Sequence, residues 1–269
     1  MRYLIDHDLH IHSHLSICSK DPSQTPERIL AYAVENGLKQ ICLTDHYWDR
    51  AVPCAVDHDF YATQDFEHIH SACPLPQSDG VEFLFGCEAD VDGEHHIGVP
   101  ASRYDDFDFI IVPTTHLHMM APDCKNFDIG YRVGLWIAYL ETLLASDLPF
   151  HKVGIAHLAC YLINHITRED YIKTLDAIPA AEIERLMKKV AALGAGIELN
   201  GGDLACAEHE LESVLRIFRI AKACGCKFYL GSDVHKVKHM GEAIPLWERA
   251  ITLLDLTEDD KFHIEGYEN

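Results

Sequence analysis

Residues 25–46 read TPERILAYAVENGLKQICLTDH, and the architecture follows from this stretch. Thr25-Pro26-Glu27 supplies an N-cap, a first-turn proline and an early acidic residue, the start signals of a helix. Gly37 supplies its left-handed stop. Lys39–Thr44 then returns as an apolar strand, with Asp45-His46 at its end. Taking Tyr3–Asp8 as the preceding strand, the segment predicts one strand–helix–strand unit.

Outward from this unit the same alternation continues. Phe83–Cys87, Phe107–Val112, Val153–Ala156, Gly196–Leu199 and Phe228–Leu230 read as strands. Gly130–Ala145, Ala180–Leu193, Glu208–Cys224 and Ala243–Leu254 read as helices. About seven strands alternating with helices predict an α/β chain whose parallel sheet closes into a barrel. A length of 269 residues suits one domain over 1–269, because single barrels of this kind run to about 250 residues. Residues 47–80 are polar and weakly periodic, and are expected to form an elaborated loop. Its Trp48, Phe60, Tyr61 and Phe66 are placed either to lid a site or to pack against the barrel.

With 43 acidic against 22 basic residues the net charge is −21. That argues against a nucleic-acid polymer or an anionic membrane as partner. An anionic substrate stays open, because bound divalent metals reverse the local field. The opening MRYLIDHDLHIH has no apolar leader, and no run approaches the about 18 apolar residues of a membrane span. A soluble cytoplasmic protein is expected, its oligomeric state open. Ten cysteines with no CxxC pair are expected to be mostly reduced, buried thiols. The unusual feature is 19 histidines.

Many of them fall just after strands. In order, the strand ends carry Asp8-Leu-His10-Ile-His12, Asp45-His46, Glu88-Ala-Asp90, His116-Leu-His118, His157, Glu198-Leu-Asn200 and Asp233-Val-His235. In a closed barrel the C-terminal strand ends converge on one mouth, so these groups become neighbours. The two-residue strand repeat puts both imidazoles of an HxH pair on one face. Imidazole with carboxylate suits Zn, Mn or Fe(II). Eight candidate ligands are too many for one ion, and two or three divalent ions sharing bridging carboxylates fit better. Clustered ions acidify a bridging water and hold an in-line displacement, which is hydrolytic machinery. Singly, Asp45 reads as a capping residue, Glu88 as a salt-bridge partner and His157 as a core histidine. That ordinary reading has to hold at six strand ends at once. Asp8 and Asp45 are expected to orient ligands rather than bind metal.

The order HxH…TDH…E…H…H…SDxH resembles the PHP (polymerase and histidinol phosphatase) superfamily, from DLHIHSH at residue 8 to the end of GSDVH at residue 235. The resemblance implies a distorted (β/α)7, TIM-like barrel and a site of up to three ions of Zn, Mn or Fe. Carried over by position, the ligands are His10, His12, His46, Glu88, His116, His157, Asp233 and His235. Glu88 is expected to bridge two ions, and Glu88 and Asp233 to stand at the catalytic centre. His118 shares the face of His116 and rivals it. The family usually places an Asp or His five or six residues after HxH; Ile17 and Cys18 stand there instead. Cys18, His14 and Asp21 are the candidates for that ninth ligand.

The family includes phosphatases, phosphodiesterases and polymerase-associated exonucleases, and the acidic balance disfavours the last. The expected activity is hydrolysis of a small phosphorylated metabolite, with histidinol phosphate as the named candidate, by a metal-bridging hydroxide. Arg168 and Lys236 are candidate phosphate-binding cations. Two other readings stay open. A non-catalytic metal- or ligand-binding module would account for the missing ninth ligand. An amidohydrolase cutting C–N bonds would also open with HxH, but typically adds a bridging Lys and ends in a lone Asp rather than DxH.

Overall fold

The computed structural model describes residues 1–54, 59–116, 128–160 and 167–267. The first strand, β1, spans His7–Ile11, and the first helix, α1, Pro26–Asn36. Thr25 caps α1 through the Arg28 N–H, and Gly37 ends it at φ 69°. Ile29, Leu30 and Ala33 turn one face of α1 onto Ile11, Ile41 and Leu43. The strand Gln40–Leu43 (β2) then pairs with β1 in parallel.

The remaining strands are β3 (His46–Tyr47), β4 (Glu82–Ala89), β5 (Phe109–Pro113), β6 (Val153–Ala156), β7 (Gly196–Asn200) and β8 (Lys227–Gly231). Seven of them run in the order β1-β2-β4-β5-β6-β7-β8, all parallel, while the short β3 pairs beside β4. The barrel is nearly closed. β1 and β8 meet just beyond their ends, where Ile11 bridges Val234 and Asp233 N–H donates to His10 O at 2.8 Å.

One apolar cluster draws Leu9, Cys42, Leu84, Phe109, Ile111, Ala156 and Tyr229 from six different strands. Only the inside of a closed sheet brings six strands together, so this is the barrel interior. Phe262 joins it from below, its N–H donating to Phe228 O at 2.8 Å. A larger layer packs the outer faces of the strands against the helices. There the helices after α1 are α2 (Asp59–Ala62), α3 (Phe66–His70), α4 (Ile129–Ala145), α5 (Arg168–Ala177) and α6 (Ala180–Leu193). They continue as α7 (Gly201–Leu204), α8 (Leu211–Ala223) and α9 (Ile244–Leu254).

Several boundaries differ from the expectations. The first strand starts at His7, not Tyr3, because Tyr3 is turned towards the barrel floor. Its N–H donates to Leu256 O at 3.2 Å and its hydroxyl to Phe228 O at 2.6 Å. β4 runs on to Ala89, so Glu88 lies inside a strand rather than past it. Glu208–Glu210 forms a 3-10 turn ahead of α8. The helix α5 was not expected at all; it starts at a Thr167 cap but shows little apolar periodicity. Within 47–80, Trp48 and Tyr61 pack ring to ring at 5.1 Å, and Phe66 meets Phe107 at 5.8 Å. The side chain of Phe60 lies outside the described residues, as does His118. Cys42, Cys87 and Cys226 are buried free thiols. Among the described residues no helix is long and apolar enough to cross a membrane.

Candidate metal centre

The barrel mouth gathers the side chains that the strand ends deliver. His10 and His12 leave β1 with their Nε2 atoms 3.1 Å apart. A register shift between Asp8 and Ile11 interrupts β1 there. His46 opens β3, Glu88 lies in β4, His116 follows β5, His157 follows β6, and Asp233 and His235 follow β8. His157 and Asp233 both adopt left-handed backbone, at φ 53° and 55°. Such strain in non-glycine residues concentrates at functional sites.

Glu88 is the centre. It is wholly buried, and neither carboxylate oxygen has a hydrogen-bond partner. Its Oε2 lies 2.9 Å from His46 Nδ1, 3.3 Å from His12 Nε2 and 3.7 Å from His10 Nε2. Its Oε1 lies 3.6 Å from His157 Nε2 and 3.9 Å from His116 Nδ1. One oxygen thus faces each half of the imidazole ring of residues. Asp233 repeats the pattern, with Oδ1 3.1 Å from His12 Nε2 and Oδ2 3.5 Å from His157 Nε2. A buried carboxylate without donors is unfavourable unless a cation meets it. The donors fit divalent ions. Three groupings place their ligand atoms within 4.8 Å of one another around Glu88 and Asp233: His10-Glu88-His157, His10-His12-Asp233 and His12-Cys18-His46-His235. A fourth joins His116, His157 and Cys160.

The electrostatics have the same sign. Burial opposes ionisation of Glu88 and Asp233, yet the neighbouring imidazoles hold both carboxyls well below the usual range. Burial likewise disfavours charge on His10, and the Glu198, Asp233 and Glu88 carboxylates overcome it, raising it to about 10. His12 is raised to about 9 against its burial by Asp233 and Glu88. The carboxylates therefore demand positive charge at the mouth, from protons or from metal.

The imidazoles are held from behind, as metal ligands usually are. His10 Nδ1 meets Glu198 Oε1 at 2.6 Å, His12 Nδ1 meets Ser16 Oγ at 2.8 Å, and His116 Nδ1 meets Asp90 Oδ1 at 2.8 Å. Asp203 Oδ1 stands 3.6 Å from His157 Nδ1. His235 Nδ1 contacts its neighbour's carbonyl, Asp233 O, at 2.7 Å. The sequence reading did not single out Ser16 or Asp203, and it noted Asp90 and Glu198 only as strand-end residues. Glu198 lies inside β7 and Asp90 one residue past β4, and neither has a histidine at strand spacing to mark it.

The two expected orienting residues accept from backbone N–H groups and hydroxyls around the ligand-bearing loop, Asp8 from the His10 N–H itself at 3.4 Å. Asp8 Oδ1 accepts Ser232 N–H at 2.9 Å and its Oδ2 accepts the Tyr32 hydroxyl at 3.2 Å, which pins β1 to the β8 end. Burial raises its carboxyl to about 7. Asp45 accepts the Ser13 N–H and hydroxyl at 2.7 and 2.6 Å, and its nearest approach to His12 Nδ1 is 3.8 Å.

Of the ninth-ligand candidates, only Cys18 joins a ligand grouping. His14 is exposed, its Nδ1 3.3 Å from Gln24 O, and Asp21 accepts from Ser23 and from Val237 N–H. Arg168 forks onto Glu210 at 2.8 and 2.7 Å and stacks over Tyr171. Lys236 lines a 380 Å³ cavity that opens beside Asp233 and His235. The loop over 47–80 buttresses the site: Tyr61 OH donates to Asp90 at 2.5 Å, and Gln64 Oε1 accepts Ile17 N–H at 3.1 Å.

Residues 8–202 match the model of the PHP domain family. A protein of Caldicellulosiruptor saccharolyticus described as a probable phosphatase is 25% identical over 230 residues, covering 85% of this chain and 80% of that protein. Among solved structures, histidinol phosphate phosphatase of Lactococcus lactis, complexed with zinc, L-histidinol and phosphate, superposes with a TM-score of 0.61 at 16% identity. That likeness covers 96% of this chain and 98% of the other.

Proposed function

The chain belongs to the PHP domain family, and on that premise we propose that it is a metal-dependent phosphoesterase acting on a small phosphomonoester. The observation that carries this is Glu88, a buried carboxylate with no hydrogen-bond partner and one oxygen towards each half of the histidine cluster. We assign His10, His12, His46, Glu88, His116, His157, Asp233 and His235 as the residues that would hold two or three divalent ions, with Glu88 the carboxylate they would share. The zinc of the Lactococcus lactis protein and the description of the Caldicellulosiruptor saccharolyticus relative both support this reading. When bound, such ions supply Lewis acidity to a phosphoryl group and acidify water.

The chain's own residues do the rest. Glu198, Ser16 and Asp90 fix the imidazoles of His10, His12 and His116, so little reorganisation accompanies the reaction. The cavity beside Asp233 and His235 is of a size that receives a small organic group. Ala205, Ala243 and Leu246 give it an apolar side, and Lys236, His239 and Glu242 a polar one. The alcohol portion of the ester sits there, with Lys236 supplying charge towards a phosphate oxygen. Histidinol phosphate remains the named candidate, since its alcohol is small and partly polar.

Turnover of p-nitrophenyl phosphate, histidinol phosphate, nucleoside monophosphates and short dinucleotides by zinc- or manganese-loaded protein tests this. Monoester hydrolysis that disappears in His10→Ala and Asp233→Ala is expected. Activity surviving both substitutions would overturn the site. Full metal loading without turnover of any phosphoester would point instead to a non-catalytic module.

A further inference from the structure

Cys18 occupies a place in the mouth that the proposed ligand set leaves undefined. Its sulfur lies within 4.8 Å of ligand atoms of His12, His46 and His235. His12 and His235 stack at 4.2 Å between ring centroids, and His12 and His46 lie 4.8 Å apart. His12 belongs also to the grouping with His10 and Asp233, and its Nδ1 contacts Ser16. That leaves Cys18, His46 and His235 as one donor set. Glu88, hydrogen-bond-less and wholly buried, borders the same set, 2.9 Å from His46 Nδ1. The loop carrying the thiol is well anchored. Ser16 Oγ accepts His46 N–H at 3.1 Å, and Ser19 Oγ donates to His235 O at 2.9 Å.

We propose that Cys18 is a thiolate ligand which, with His46 and His235, makes one metal position of this centre selective for thiophilic ions. The inference rests on the metal-dependent reading above and deepens it. On binding, the Cys18 S–H bond breaks, its electron pair passes to the ion, and the proton leaves to solvent. Thiolate donors favour zinc, cobalt and cadmium over manganese and magnesium. The same thiol makes this position sensitive to oxidants and alkylating agents.

Cobalt-loaded protein gives a direct test, because a thiolate ligand produces an intense near-ultraviolet sulfur-to-cobalt charge-transfer band. The band is expected in the wild type and in Cys160→Ser, and lost in Cys18→Ser. Cys18→His is expected to restore cobalt binding at this position to within about tenfold of wild type, without the band, since imidazole also binds zinc-like ions. Bound zinc is also expected to slow iodoacetamide labelling of Cys18 in the wild-type protein at least tenfold, a readout that does not depend on any variant folding. A band that survives Cys18→Ser, or labelling unaffected in protein shown to carry its full complement of zinc, would overturn the proposal and leave the phosphoesterase reading intact. Failure to bind any divalent ion would overturn both.

Discussion

Glu198 Oε1 lies 2.6 Å from His10 Nδ1 with both side chains sealed from solvent, while Glu198 Oε2 accepts the His157 backbone N–H at 2.9 Å. One carboxylate in β7 thus sets the ring of a residue from β1 and the backbone after β6. It leaves His10 Nε2 directed towards Glu88 and Asp233.

The first prediction follows from that contact. Glu198→Gln keeps the shape but replaces the charge that holds His10. Metal affinity is expected to fall about 10–100-fold, the usual consequence of removing a ligand's outer partner. Titration with a competing chelator measures it. Unchanged affinity would show that His10 is oriented by packing alone.

Gly231 stands beside this pair for a steric reason. A Cβ there would collide with Glu198 Oε1 and lie 2.8 Å from the His10 Cβ. Gly231→Ala is therefore expected to destabilise the fold by about 1–3 kcal/mol and to lower metal content together with it. Gly134, inside α4 with open space around its Cα, is the control. Gly134→Ala is expected to raise stability by up to about 1 kcal/mol. Urea melts of both variants decide the matter, and a neutral Gly231→Ala would contradict the close approach.

Much of this was legible before any coordinates. The cap, proline and glycine around α1 are local signals, so its limits matched residue for residue. The ligand candidates were legible because parallel strands deliver their C-terminal ends to one rim. Less legible were residues whose role comes from what lies across the barrel. Glu198, Asp90 and Asp203 are single carboxylates with no spacing to mark them, and only closure brings them to His10, His116 and His157. Arg168 illustrates the converse: its position after His157 suggested a phosphate contact, but its Nε and Nη2 donate to Glu210, forty-two residues on. Cys18 stood among three candidates until the loop path brought it to His46 and His235.

Far from the mouth, Asp6 and Lys261 make a pH prediction. Lys261 Nζ sits 3.0 Å from both Asp6 oxygens and is buried. Burial opposes ionisation of Asp6, but hydrogen bonding and charge from His7 and Lys261 lower its carboxyl from 3.8 to about 2. A folded-state value below the unfolded one stabilises above about pH 4 and is lost as pH falls through about 2. Asp6→Asn is expected to cost about 1–2 kcal/mol at neutral pH, after allowance for the partial exposure of the carboxylate. That difference from wild type should shrink between about pH 4 and pH 2. Urea midpoints measured across this range test it; a gap that stays constant with pH would exclude the ion pair as its source.

Metal removal provides the last test, because the cluster carries opposed charges even when empty. Without ions, protonated imidazoles compensate Glu88, Asp90 and Asp233, so stripped protein should remain folded but be less stable. An ion held at a free concentration 100 times its dissociation constant adds about 2.7 kcal/mol to the native state. For a chain of this length that corresponds to roughly 5–10 °C in melting temperature. Adding zinc after dialysis against a chelator should therefore raise the midpoint by that amount. Glu88→Gln removes a carboxylate that faces both halves of the cluster while preserving its volume. Its stripped form is expected to melt below the stripped wild type, since the imidazoles that held the carboxylate lose a compensating charge. Its zinc-dependent rise should be reduced by at least half. A full rise in Glu88→Gln would mean that the ions bind elsewhere, and the bridging role assigned to Glu88 would be lost.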